Sequence, residues 1–378
     1  MSNLVRQEIA TSARLIVVKV GTRVLTQPDG QLDQQRVQQL AQEICELRND
    51  DRQIVLVSSG AVGAGMSHLK MTDRPSGLAQ LQAVAAIGQA KLIEEYDRHF
   101  GKCGVHAAQV LLTADDVDDR SRYLNVRNTL LALLELDVVP IINENDTVSV
   151  EELQTTFGDN DRLAALVTNL LRAPLLVILS DIDGLYDRAP SDPDAKIVST
   201  VPEINEQVNS YVQDAANSLS KGGMASKINA ARITTTAGEN MIVASGKQPG
   251  VLQQICDGKE VGTLFLAQGK SITPLKRWIG FSAQPKGTFT LDDGACQAIQ
   301  QKGKSLLPIG IVTVKGQFEK GDVVSLLTRD GKEFARGLTN YSSSEATRIA
   351  GKQSSSIADE LGHCPYIAAI HRDNMVVL

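Results

Sequence analysis

Leu15-Ile16-Val17-Val18-Lys19-Val20-Gly21-Thr22 is the stretch that sets the fold class of this chain. An apolar, β-branched run of strand length with no polar alternation is the pattern of a strand buried on both faces, as in a parallel sheet. The lysine near its end sits where open α/β sheets bind their ligands, at the C-terminal edge beside a glycine turn. Runs at 54–58, 105–112, 138–142, 175–180 and 241–244 repeat the pattern and read, with 15–20, as strands. Between the first two, Val37, Leu40, Ala41, Ile44 and Leu47 recur at helical spacing and predict an amphipathic helix over 33–48. Stretches 78–100, 121–136, 162–171 and 224–237 read as further helices. Strands alternating with helices predict an α/β fold, a mostly parallel sheet covered by helices on both faces.

The texture changes after about residue 267. Residues 270–286 hold two prolines, four basic residues and the only tryptophan, Trp278. Short strands with glycine turns follow at Thr288–Leu291, Ile309–Val314, Val323–Thr328 and Phe334–Leu338, and Asp330-Gly331 between the last two is a hairpin signal. Ser342-Ser343-Ser344-Glu345 has the form of a capping box opening a short helix. The expected division is an α/β domain over 1–267, a linker over 268–285 and a small β-barrel-like domain over 286–378.

Composition narrows the function classes. The 378 residues are 42% hydrophobic and 22% charged, a globular composition with ample core, and only 4% are aromatic, so that core is aliphatic. A net charge of −6 disfavours broad binding to nucleic acid or anionic membranes and still permits a local basic site. Five scattered cysteines without a C-x-x-C pair, and five histidines without a cluster, argue against disulfide or zinc frameworks. The N-terminus shows neither a signal peptide nor a membrane span, so a reducing cytoplasm is expected.

Several polar clusters carry chemistry. Lys221-Gly222-Gly223-Met224-Ala225-Ser226-Lys227 precedes a helical run, and the N–H groups of a helix start together with a lysine suit a phosphate. With Lys19 far upstream and no Walker motif, two lysines on two loops point to phosphoryl transfer of a less common kind. Ser58-Ser59-Gly60-Ala61-Val62-Gly63-Ala64-Gly65 has G-x-x-G-x-G spacing and not the dinucleotide fingerprint. It reads either as a tight strand-to-helix turn or as a loop receiving phosphate or carboxylate, with Ser59 as donor. Asn143-Glu144-Asn145-Asp146 reads either as a solvated loop or as a binding edge at a strand's end, with Asp146 suited to an ammonium group and Asn143 to an amino acid's polar atoms. In Gly158-Asp159-Asn160-Asp161, Asp159 or Asn160 fits a helix N-cap, while acids near two lysines keep them charged. The turn Ser180-Asp181-Ile182-Asp183-Gly184 either borders a nucleotide or only connects elements. Gly269-Lys270-Ser271 and Gly303-Lys304-Ser305 lack the glycine of a P-loop and read as loops.

Taken together these segments, with Lys276-Arg277-Trp278-Ile279, resemble the amino acid kinase superfamily, and most closely its glutamate 5-kinase branch with a C-terminal PUA domain. The resemblance runs over nearly the whole chain. It implies ATP-dependent phosphorylation of the L-glutamate side-chain carboxylate to glutamyl 5-phosphate, the first step of proline biosynthesis. By motif position Lys19 and Lys227 contact the phosphates and Asp161 orients them, while Ser59, Asp146, Asn160 and Asn143 hold glutamate. Ser180, Asp181 and the loop of Lys221, Gly222, Gly223, Met224, Ala225, Ser226 and Lys227 border ATP. Magnesium is expected on the ATP phosphates, with no dedicated protein metal site. The resemblance further implies feedback inhibition by proline, a homo-oligomer and a downstream glutamyl phosphate reductase. The chain departs from the family at Ser220-Lys221, where glycine-threonine is usual; serine loses positive φ and Lys221 adds charge near the triphosphate. The alternatives are a kinase for aspartate, acetylglutamate or UMP, and an RNA-binding PUA protein. Residues 286–378 carry 11 basic against 10 acidic side chains with no basic stripe, so RNA binding is not expected.

Overall fold

A computed structural model describes residues 2–148, 159–215, 221–268 and 273–378. The chain divides into two compact units: residues 1–116 with 123–270, and residues 117–122 with 271–378.

Among the described residues the first unit is built on eight strands: β1 (Leu15–Val20), β2 (Gln53–Ser58), β3 (His106–Leu112), β4 (Val138–Glu144), β5 (Leu175–Ser180), β6 (Thr200–Val201), β7 (Asn240–Ser245) and β8 (Thr263–Phe265). Their order is β3-β4-β2-β1-β5-β7-β8-β6, parallel except where β8 runs antiparallel to β7. β1 pairs with β2 on one side and β5 on the other, so Lys19 faces Val57 and Ile178 in the two ladders. The chain returns to the far side of β1 between β4 and β5. That reversal opens the crevice where such sheets place a ligand, outside the strands' carboxyl ends. The apolar side chains of the central strands are buried, as their continuous runs require: Ile16, Val18, Leu56, Val177 and Ile242 lie in one continuous core.

Helices over Gln34–Asn49, Leu78–Gly101, Arg120–Glu135, Asp159–Leu171 and Lys221–Thr236 stand where helical spacing placed them, with shifted ends. Others among the described residues, including Ser2–Ser12, Ala61–Leu69, Glu206–Ala215 and Val251–Cys256, were not legible. The second hides inside the glycine-rich run. Only Gly60, at φ 104°, uses glycine's backbone freedom there. Further along, a Cβ on Gly65 would lie 2.1 Å from the Val84 carbonyl oxygen, and one on Gly88 1.7 Å from that of Ala61. Those glycines let two helices touch backbone to backbone, a packing role that resembles a ligand loop in one dimension.

The second unit carries β9 (Gly287–Leu291), β10 (Ile311–Gly316), β11 (Val323–Leu327), β12 (Glu333–Leu338) and β13 (Met375–Val377), ordered β10-β9-β11-β12-β13. Residues expected to open a strand at Ile309 form a 3-10 turn, Pro308–Gly310, and β10 begins at Ile311. Gly331, at φ 84°, closes the β11–β12 hairpin, and the Ser342–Glu345 capping box is present in full. Much of the stretch expected as linker is helical: Pro274–Arg277 runs into a π-helical turn, Trp278–Ser282. Trp278 is buried; its Nε1 donates to the Val117 carbonyl at 3.1 Å, and the Arg120 guanidinium lies 5.4 Å from the ring centroid.

Candidate active site

A cavity of about 390 Å³ opens at the carboxyl ends of β1, β2, β4 and β5. Lys19 comes from β1, Ser59 from the turn after β2, Asn143 from the end of β4, and Ser180 from the end of β5. Ser180 ends its strand, Lys19 and Asn143 stand one residue before the ends of theirs, and Ser59 directly follows the end of β2. Helix Asp159–Leu171 brings Asn160 and Asp161, and helix Lys221–Thr236 brings Ser226 and Lys227.

Asp161 is the centre of the charge arrangement. Its carboxylate is fully buried, with Lys19 Nζ 2.6 Å from Oδ1 and Lys227 Nζ 3.2 Å from Oδ2. Ser226 Oγ donates to Oδ2 at 2.7 Å, and Lys227 Nζ also donates to the Gly223 carbonyl at 3.1 Å. Burial opposes ionisation of Asp161, yet the charges of Lys19 and then Lys227 outweigh it and hold the carboxyl down at about 2. Burial also lowers the Lys227 ammonium, and the neighbouring charge of Lys19 adds to that, against the pull of Asp161. Two ammonium groups and one carboxylate leave a net positive charge in a site shielded from water.

A second cluster faces the first. Asn160 Nδ2 donates to Ser59 Oγ and to Asn143 Oδ1, both at 2.9 Å. Asn143 Oδ1 also accepts the Glu144 backbone N–H at 2.9 Å. Ser59 therefore keeps its hydroxyl proton, and Asn143 its amide protons, for another partner. Asp146 is buried; Gln89 Nε2 donates to its Oδ2 at 3.3 Å and to the Glu144 carbonyl at 3.4 Å. Burial pushes the Asp146 carboxyl up to about 6, against the Gln89 hydrogen bond and the charge of Arg74. At the other side Asp181 accepts from Arg23 Nη1 at 3.2 Å and from Ser180 Oγ at 3.2 Å. Those bonds and the Arg23 charge outweigh burial and lower its carboxyl.

The family model for the amino acid kinase family matches residues 14–245, and that for the PUA domain matches residues 287–361. A glutamate 5-kinase from Rhodopirellula baltica is 48% identical over 373 residues, 99% of this chain and 96% of that protein. One from Pelobacter propionicus is 46% identical over 374 residues, 99% of this chain and 100% of that protein. The chain belongs to the glutamate 5-kinase family. Solved structures similar to it include carbamate kinase from Giardia lamblia bound to AMP-PNP, at TM-score 0.48 and 17% identity over 68% of this chain and 100% of that one.

Within this family member, the site residues named from sequence fall largely in one place. Lys19, Ser59, Asn143, Asp146, Asn160, Asp161, Ser180, Asp181, Gly223, Met224, Ser226 and Lys227 all line the same cavity. Ala225 is exposed and stands outside that lining. Lys221 and Gly222 open the helix, so the glycine pair expected in a loop before the helix lies in its first turn. The Lys221 side chain, Ser220 and Phe157-Gly158 lie outside the described residues. Asn160 is no N-cap: it sits inside the first turn of its helix, and its amide reaches across to Ser59 and Asn143. Sequence reasoning missed Gln89, Arg23 and Arg74, all cavity-facing or bonded to it. Gln89 left a signal, because it interrupts the buried stripe Leu81, Val84, Ala85, Gly88, Leu92 at helical spacing.

Proposed function

We propose that this cavity transfers the γ-phosphoryl group of ATP to the side-chain carboxylate of L-glutamate, giving L-glutamyl 5-phosphate for proline synthesis. The carrying observation is Asp161 holding Lys19 and Lys227 together in a buried site beside the Ser59-Asn143-Asn160 cluster. A carboxylate nucleophile is already ionised at neutral pH, so no general base is needed. The barrier lies in bringing two anions together and in the charge on the transferring oxygens, which positioning and fixed positive charge relieve. Lys19 and Lys227 supply that charge, and Asp161 keeps both ammonium groups aimed at one point. A cavity whose central charges are two lysines held by one carboxylate, net positive, fits a magnesium-bearing polyanion, and magnesium would enter on the ATP phosphates, where it offsets their charge. Ser59 and Asn143 donate to the glutamate carboxylate, and Asp146 takes its ammonium group. Asp181 and Ser180 border the nucleotide.

Proline shares glutamate's α-nitrogen and α-carboxylate, and competes for the Asp146 end of the cavity. The acyl phosphate product is labile, so a reductase that captures it is the fitting next enzyme. Among the described residues no helix is long and apolar enough to cross a membrane. The test is glutamate-dependent ADP release. Lys19→Ala and Lys227→Ala should each lower kcat by about 10²–10³-fold. Near-normal turnover in either variant removes that lysine from the chemistry.

A further inference from the structure

Among the described residues the cavity is lined by five basic side chains, Lys19, Arg23, Arg74, Arg188 and Lys227. Four of them are already paired. Lys19 and Lys227 share Asp161, Arg23 meets Asp181 at 3.2 Å, and Arg188 lies 3.5 Å from Asp187 and 3.7 Å from Asp192. Arg74 is in no ion pair among the described residues, and its charge acts on Asp146. It is exposed while Asp146 is buried, which places a cation at the mouth and an anion deeper in one end of the same cavity.

Glutamate carries three charges, and the reading above assigns two of them: the side-chain carboxylate goes to the donors near the lysines, the α-ammonium to Asp146. The α-carboxylate still needs a cation, adjacent to the group that takes the ammonium. We propose that Arg74 is a specificity-determining residue that binds the α-carboxylate of the acceptor, so that Arg74 and Asp146 together recognise a free α-amino acid. A guanidinium presents paired N–H donors matched to a carboxylate, a better fit than an ammonium. Gln89 occupies Oδ2 of Asp146, leaving Oδ1 for the substrate. An acceptor with a blocked α-nitrogen loses the Asp146 contact, and one with an amidated α-carboxyl loses the Arg74 contact.

This rests on glutamate being the acceptor, and the experiment separates the two. Wild type, Arg74→Leu and Arg74→Lys are assayed with L-glutamate and with its α-amide, which keeps the ammonium and side-chain carboxylate. Wild type should prefer glutamate by at least about tenfold in kcat/KM, the scale of one charged hydrogen bond. Arg74→Leu should raise the glutamate KM by about 10–100-fold with kcat little changed, and bring the preference over the α-amide close to unity. Arg74→Lys should recover part of both. A full preference for glutamate in Arg74→Leu overturns the assignment of Arg74 while leaving glutamate as acceptor. No turnover of glutamate by wild type overturns the acceptor itself, and the Arg74 assignment with it.

Discussion

Asp161 and Asp146 are both buried carboxylates, and their surroundings send them in opposite directions. Asp161 is held at about 2, below its ordinary 3.8, by two lysines that prevail over burial. Its contribution to stability is thus complete above about pH 4 and is lost as the pH falls through about 2. Asp161→Asn keeps the shape and removes the charge, leaving two buried ammonium groups facing each other. Breaking a buried pair in this way costs about 3–5 kcal/mol. Urea denaturation should record that loss, and turnover should fall by about 10²-fold or more. Asp146, raised to about 6 mainly by burial, behaves the other way. The folded state favours its proton, so it disfavours ionisation between about pH 4 and 6, and only the ionised form pairs with an ammonium group. The kcat/KM for glutamate should therefore fall as the pH drops through about 6, with a limb that Asp146→Asn abolishes. Asp146 was legible because four polar residues at a strand end are conspicuous, and Asp161 because it stands in an acidic run just before an apolar helical stretch. Gln89 was not, because one amide in an apolar helical stripe does not reveal what it bonds across the fold.

The same substitution at two helical glycines separates packing from function. At Gly88 a new Cβ would strike the Ala61 carbonyl at 1.7 Å, so Gly88→Ala must push the two helices apart. Overpacking of this kind costs about 1–3 kcal/mol or more. Because Ala61–Leu69 begins just after Ser59, the glutamate KM should rise as well. At Gly223 a Cβ meets nothing within 4 Å, and alanine is the better helix former by about 1 kcal/mol. Gly223→Ala should melt no lower than wild type, with any defect confined to the ATP KM. A melting temperature for Gly88→Ala equal to that of wild type would contradict the packing role. Six strands of the sheet were legible to within two residues, since burial on both faces makes the central ones continuous apolar runs; the short β6 and β8 were not read, and β3 is only partly buried. Helix Ala61–Leu69 was hidden because its glycines serve a contact partner in the next helix, Leu78–Gly101, which local pattern does not show.

Each unit closes its own core, one of Ile16, Val18, Leu56 and Val177, the other of Phe289, Leu291, Leu326 and Tyr341. Trp278, the single tryptophan, is buried in the second. Its emission should therefore follow the unfolding of that unit in urea, while glutamate-dependent turnover follows the first, giving two midpoints in place of one. Coincident curves would mean the two units unfold together. The change in texture after residue 267 was visible in the sequence as shorter strands and denser glycine turns. The pairing of residues 117–122 with the second unit was not, since it joins segments far apart in the chain through one indole, Trp278 on Val117. The substrate assignment bears on the whole molecule, and one assay decides it. With ATP and magnesium, hydroxylamine should trap a hydroxamate from L-glutamate, and none of comparable rate from L-aspartate or N-acetyl-L-glutamate, while UMP yields no ADP above background. Hydroxamate or ADP formed faster from any of those three than from L-glutamate would contradict it.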